Sequence, residues 1–174
     1  MTNTAWISIS CQDRVGLVAE IAGRIFDLGG NLGDTTFSVL GEGAEFTSLC
    51  DFPASVAPGA VEAELKTLPE LDGAQVSVRH FDLAPVHGPA GQVTHRIAVS
   101  GGDRPGLVAR LCEVFVQFHA NIVRLHAEKI PGPGGGQYVV NMAVNIPPDA
   151  TQRCLATIAN TAGELRLDCH WEAV

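Results

Sequence analysis

The sequence has little of what marks several large classes of protein. Aromatic residues make up only 6% of the 174 residues. No apolar run approaches the roughly 18–20 residues that a membrane-spanning helix needs. Residues 1–6 lack the basic and apolar regions of a signal peptide. These absences predict a soluble, cytoplasmic protein with no membrane partner.

Cysteine and histidine do not occur at the spacings that bind metals or form disulfide frameworks. The five cysteines include no CxxC pair, and the six histidines show no zinc-binding pattern. The nearest cluster, residues 168–170, lies on a predicted strand whose alternating faces separate neighbouring side chains. The Gly/Pro-rich loop 131–136 lacks the Lys-Ser/Thr ending of a phosphate-binding loop. We therefore expect no metal site, no cofactor and no structural disulfide.

Positive charge is scarce in the first half of the chain. The net charge is −8. Residues 1–84 carry four Lys/Arg against twelve Asp/Glu, whereas residues 85–174 carry seven of each. Neither half has the basic stripe that phosphate contacts require. The sequence therefore predicts no direct contact with nucleic acid, and it makes the acidic first half the better candidate for a basic protein partner.

One short motif is present twice. Asp13-Arg-Val-Gly-Leu-Val-Ala19 recurs ninety residues later as Asp103-Arg-Pro-Gly-Leu-Val-Ala109, and an Asn stands eighteen residues after each Asp. Residues 13–32 align on 103–122 without a gap, with seven identities. Such a repeat indicates an internal duplication. It predicts two domains, 1–84 and 93–174, joined by the Pro/Gly-rich linker 85–92.

Each half has the patterning of a βαββαβ unit, an α+β arrangement known as the ferredoxin-like fold. Period-two alternation predicts strands, and an apolar stripe at helical spacing predicts helices. The predicted strands are 5–11, 31–40, 44–52 and 74–83, then 94–100, 121–130, 137–146 and 164–172. The predicted helices are 15–28, 58–68, 105–118 and 149–162.

The repeated motif lies between the first strand and first helix of each unit, where two interpretations compete. Unpaired N–H groups at a helix N-terminus attract a carboxylate, and an adjacent Asp could accept from an ammonium group. Together these groups could recognise a free α-amino acid. Alternatively, Asp13 and Asp103 are simply helix N-caps, and Asn31 and Asn121 simply follow a helix in a left-handed turn.

The order of elements and the motif Asp-Arg-x-Gly-Leu-Val, followed by Asn-Leu or Asn-Ile, resemble the ACT domain, a small regulatory module. The resemblance covers both halves. It implies that ACT units pair side by side through their antiparallel sheets, with the helices on one face. It also implies that amino acids bind at interfaces between units. The residues matching the family's ligand-binding elements are Asp13, Arg14, Val15, Gly16, Asn31 and Leu32, and in the second half Asp103, Arg104, Pro105, Gly106, Asn121 and Ile122.

The chain departs from the family pattern at one position. Serine-sensing ACT units have a His two residues before the Asp, but this chain has Cys11 and Gly101 there. The contacts that such units make to serine therefore cannot all be assigned to this chain.

The function that the resemblance implies is a non-enzymatic regulator. It would bind a small amino acid of the glycine or serine type and act on a protein partner, such as a DNA-binding activator of transcription, as a homodimer. Three alternatives stay open: a detached regulatory subunit of an enzyme of amino-acid metabolism, a small hydrolase-like activity using Cys and His, and a dimerisation scaffold that binds no ligand.

Overall fold

The computed structural model describes residues 2–132 and 136–174. The chain divides into two compact units, Met1–Val86 and His87–Val174. Part of the predicted loop 131–136, namely residues 133–135, lies outside the described residues. In the described part of the chain, no helix is long and apolar enough to cross a membrane.

The first unit is a four-stranded antiparallel sheet with two helices. Its strands lie in the order β2-β3-β1-β4. In chain order the elements are β1 (Thr2–Gln12), α1 (Leu17–Asp27), β2 (Asn31–Leu40), β3 (Gly43–Pro53), α2 (Pro58–Leu65) and β4 (Gln75–His80). A short 3-10 turn, Pro69–Leu71, follows α2.

The second unit repeats this topology. Its strands lie in the order β6-β7-β5-β8, again all antiparallel. The elements are β5 (His95–Gly101), α3 (Leu107–Gln117), β6 (Asn121–Ile130), β7 (Gln137–Asn145), α4 (Thr151–Glu164) and β8 (Asp168–Ala173). The predicted α+β fold of two βαββαβ units is confirmed.

Each unit has its own apolar core between one sheet face and its helices. In the first unit the alternate residues Ala5, Ile7 and Ile9 of β1 are fully buried together with Ile21 of α1 and Val61 of α2. The second unit buries Ile97, Val99, Leu111, Phe115 and Ile158, among others, in the same way. The strand alternation seen in the sequence is thus the consequence of one buried face.

Polar contacts hold the two helices of the first unit together. Arg24 Nη1 donates to the Glu64 carbonyl oxygen and to the Glu64 carboxylate, both at 3.1 Å, and to Thr67 Oγ1 at 2.8 Å. The guanidinium therefore satisfies a carbonyl at the end of α2, where the helix dipole favours a cation.

Several predicted boundaries were wrong. The helix expected over 58–68 ends at Leu65, and the strand expected over 74–83 ends at His80. The last helix was expected over 149–162 and the last strand over 164–172, but α4 runs from Thr151 to Glu164 and β8 begins at Asp168. Gly163 does not end the helix. The chain turns instead at Arg166, which adopts a left-handed conformation with φ 58°.

The predicted linker includes ordered structure that is held by the second unit. Residues Pro89–Gly91 form a 3-10 turn. Asn145 Nδ2 donates to the carbonyl oxygens of Pro89 (3.2 Å) and Gln92 (2.7 Å). These contacts fix the end of the Pro/Gly-rich segment to the second unit.

Alanine substitutions at two glycines of the first unit, Gly23 and Gly30, should have opposite effects on its stability. A Cβ at Gly30 would lie 2.5 Å from Phe52 Cε1 and 2.8 Å from the Ile25 carbonyl oxygen, whereas a Cβ at Gly23 would meet nothing within 4 Å. We expect Gly30→Ala to lower the free energy of unfolding by about 2 kcal/mol through overpacking. Gly23→Ala, inside α1, should raise it by about 0.5–1 kcal/mol because alanine favours the helix. Urea denaturation measures both; equal effects of the two substitutions would contradict the packing.

Candidate functional site

The loop between β1 and α1 begins the helix with a left-handed glycine. Gly16 occupies the N-cap position of α1 with φ 89°, and no side chain caps the helix. The Leu17 amide donates to the Arg14 carbonyl oxygen at 3.4 Å. The Asp13 amide donates to the Glu42 carbonyl oxygen at 2.9 Å, and this hydrogen bond connects the loop to the β2–β3 turn. Glycine suits this position because it adopts positive φ without a steric penalty.

The loop between β5 and α3 has the same geometry. Gly106 is the N-cap of α3 with φ 79°, again without a side-chain cap, and the Leu107 amide donates to the Arg104 carbonyl oxygen at 3.2 Å. The expectation that Asp13 and Asp103 are helix N-caps was therefore wrong. Neither carboxylate is used to start its helix, and the first-turn amides of both helices remain without a side-chain acceptor.

Both loops are open to solvent. Val15 is fully exposed, Pro105 is exposed, and a Cβ added at Gly16 or Gly106 would meet nothing within 4 Å. Arg14 Nη1 lies 3.5 Å from the carbonyl oxygen of Pro69, so its guanidinium turns along the unit's own surface. A small molecule could therefore approach either helix start directly.

The two aspartates differ in their surroundings. Lys129 Nζ, on β6, lies 2.7 Å from Asp103 Oδ2. The hydrogen bond to Asp103 raises the pKa of the Lys129 ammonium above its usual value. The residue at the matching register of β2 is Val39, and within residues 2–132 and 136–174 no cation pairs with the Asp13 carboxylate.

The two asparagines also differ. Asn121 Nδ2 donates to the Ala90 carbonyl oxygen at 2.8 Å, in the segment that Asn145 also holds. In the described part of the chain the Asn31 side chain makes no hydrogen bond, and it is exposed. Each Asn is the first residue of its strand.

Leu32 and Ile122, the apolar residues that follow the asparagines, pack against their own cores. Both are partly buried and contact the core cluster of their unit. This packing orients the backbone at the start of β2 and β6. Their predicted part in ligand binding stays a prediction.

Within one unit, the Asp loop and the Asn lie at opposite ends of the sheet. Asn31 pairs with Asp51, which pairs with Thr4 near the start of β1, whereas Asp13 follows the end of β1. Nine residues of extended strand separate Thr4 from Asp13, about 30 Å. The structure therefore does not bring Asp13 and Asn31 of the same unit together.

The histidine that serine-sensing units have would press against Leu167 if it stood at Gly101. A Cβ there would lie 2.5 Å from Leu167 Cδ2 and 3.3 Å from Leu167 Cα, so the leucine would have to shift. At the other position, Cys11 is partly buried against the core. Packing against Leu167 therefore disfavours a larger residue at position 101.

A shallow cavity of about 280 Å³ in the first unit lies away from these residues. It is lined by Ser8, Ser10, Lys66, Ala74, Gln75, Val76 and Ser77. None of the predicted site residues lines it. Within the described residues, no group of three His, Cys, Asp or Glu side chains could hold a metal ion.

The cysteines do not have the surroundings of nucleophiles. Burial raises the pKa of the Cys11 and Cys112 thiols above the ordinary value, and it does the same at Cys50, Cys154 and Cys169. A raised pKa leaves little thiolate, the reactive form, at neutral pH.

The cysteine environment predicts slow alkylation of the native protein. At pH 8 iodoacetamide should modify native protein about tenfold more slowly than urea-unfolded protein, because burial keeps the thiols protonated and covered. Mass spectrometry of a time course gives the rate for each cysteine. A native cysteine that reacts faster than the unfolded chain would favour the Cys-based hydrolase alternative.

Comparisons with known proteins agree with this architecture. The ACT domain family model matches residues 96–172. No curated protein matches the chain.

Two solved structures match over the whole chain. An unknown protein from Galdieria sulphuraria is 23% identical with a TM-score of 0.80, covering 100% of this chain and 99% of that one. A "putative glycine cleavage system transcriptional repressor" is 16% identical with a TM-score of 0.68, covering 100% of this chain and 98% of that one. At these identities the matches show a shared fold. Residues 96–172 therefore match the ACT domain family, and the first unit repeats the topology of the second.

Proposed function

We propose that the protein is a non-enzymatic regulator that binds a small amino acid, of the glycine or serine type, through its Asp-Arg-x-Gly loops. The observation that carries this proposal is the start of α1 and α3. Each helix begins at an open left-handed glycine without a side-chain cap, and an exposed aspartate that has no capping role precedes it by three residues.

The two polar ends of an amino acid match these groups. The ligand carboxylate would accept from the first-turn amides, where the helix dipole is favourable. The ligand ammonium would donate to Asp13 or Asp103. Glycine or serine suits the loop because Gly16 and Gly106 leave no side chain against which a larger ligand could pack.

The asparagines would complete the site from a different copy of the unit. Because Asp13 and Asn31 are about 30 Å apart along one sheet, a ligand that touches an Asp loop and an Asn needs two copies. This requirement agrees with the pairing of units that the family resemblance implies. We propose that the second copy belongs to another molecule, in a homodimer. The outer edges of β2 and β6 are unpaired within their sheets, which leaves them available for such pairing.

The protein partner is proposed from the charge of the chain. The first 84 residues carry a net charge of −8, which repels DNA and attracts a basic protein surface. One full-length structural match bears the name of a glycine cleavage system transcriptional repressor. We propose that this chain likewise acts in transcription, by contacting a DNA-binding activator. Ligand binding would shift the balance between two conformations that present different surfaces to this activator.

The alternatives make distinct predictions. A detached regulatory subunit would bind the amino acid but act on an enzyme rather than on a DNA-binding protein. A dimerisation scaffold would associate without binding any amino acid. Ligand binding therefore separates the scaffold from the other two functions.

Isothermal titration calorimetry with glycine and L-serine tests the ligand. We expect saturable heat with at least one of them, and Asp13→Asn should weaken binding by about tenfold because a neutral amide replaces the carboxylate that accepts from the ammonium group. Asp27→Asn, at the exposed end of α1, is the matched control and should leave binding unchanged. No heat with either amino acid, and no shift in melting temperature, would overturn the proposed ligand; the same result with all the common amino acids would favour the scaffold.

An electrophoretic mobility assay tests the indirect route to transcription. The protein alone should not retard duplex DNA at low salt, where any electrostatic affinity is strongest. Retardation of the DNA should require that the DNA-binding partner protein is present in the same reaction. Salt-resistant, sequence-specific retardation by the protein alone would overturn this part of the proposal.

A further inference from the structure

The chain has two Asp-Arg-x-Gly loops, and they differ in whether the aspartate already has a cation partner. In the second unit the Asp103 carboxylate already holds the Lys129 ammonium at 2.7 Å. In the first unit the matching residue is Val39, whose apolar side chain cannot form an ion pair. Val39 is 45% exposed. The Asp13 carboxylate has no cation partner in the described part of the chain.

A second difference between the units lies at the other end of the sheet from the Asp loops. The Asn121 amide donates to the Ala90 carbonyl oxygen at 2.8 Å, and Asn145 donates to the carbonyls of Pro89 and Gln92 on either side. These contacts engage Asn121, but they do not touch the Asp103 loop, which only Lys129 occupies. In the first unit Asn31 pairs with Asp51, whose carboxylate accepts from Thr4 Oγ1 at 2.6 Å.

We propose that the Lys129 ammonium occupies the Asp103 loop of the second unit and that the amino acid therefore binds first to the Asp13 loop of the first unit. This inference rests on the proposed function and assigns it to one of the two loops. Lys129 acts as a built-in substitute for the ligand ammonium, so an incoming amino acid must displace it before it can reach Asp103. Asp13 needs no such displacement.

The contacts in the second unit are individually weak, because Lys129 and Asp103 are both exposed, at 73% and 49% of their side chains. An exposed ion pair is easily exchanged for another. The closure is therefore a preference between the loops of at most about fivefold in affinity. It should appear as a difference in occupancy at ligand concentrations near the dissociation constant of the first loop.

Calorimetric titration with glycine and L-serine tests the assignment through a gain of binding. The wild-type protein should bind about one ligand per chain in the high-affinity range. The variant Lys129→Val gives the second unit the residue that the first has at the matching register, Val39. It should bind a second ligand with up to about fivefold higher affinity than the wild type does at that loop. Adding Asp103→Asn should remove this gain.

Lys66→Val is the matched control, because it removes an exposed lysine from the first unit whose ammonium is paired with Glu62 at 2.6 Å. It should leave the stoichiometry at the wild-type value. Circular dichroism confirms that each variant is folded.

The possible outcomes separate the two proposals. Two equal sites in the wild type, or no gain in Lys129→Val, would overturn the assignment while the proposed function stands. No heat from any variant with either amino acid would overturn the proposed function and the assignment with it.

Discussion

The central strand of each unit is the constraint on which the other features depend. β1 is hydrogen-bonded on both sides, to β3 and to β4, and β5 is paired in the same way with β7 and β8. Because the strand is extended, the loop at its end and the residue beside its start are fixed far apart. The two groups that the ACT resemblance assigns to ligand binding are therefore separated by the architecture itself. A single unit therefore does not bring the predicted binding residues together in one place, and the proposed site needs two copies of the unit.

The fold could be predicted almost entirely from the sequence. The duplication at Asp13 and Asp103, the alternation of β1 and the apolar stripes of α1 and α3 are strong, local signals, and they led to the observed topology. The boundary of α4 could not be predicted, because Gly163 is tolerated inside a helix whose end is set by the left-handed Arg166 and the burial of Leu167. Such a helix end depends on tertiary packing rather than on local preference.

The site was predictable only in outline. Sequence spacing located both loops and both asparagines, yet it could not show that Gly16 and Gly106, rather than the aspartates, begin the helices. It also gave no sign that Lys129 reaches Asp103, since a lysine twenty-six residues away carries no local signal. The register of β6 against β7 creates this contact. Lys129 and Val39 occupy the same position of the repeat, and this difference between the copies could have suggested the contact with Asp103.

The contact between Gly101 and Leu167 limits how this module can change. A side chain at position 101 would press against the buried side chain of Leu167, which directly precedes β8, so a larger residue there requires Leu167 to move or to be replaced by a smaller one. The conformation of the chain where it enters the last strand thus restricts a position at the end of the central strand. The matching position of the first unit, the partly buried Cys11, already carries a side chain.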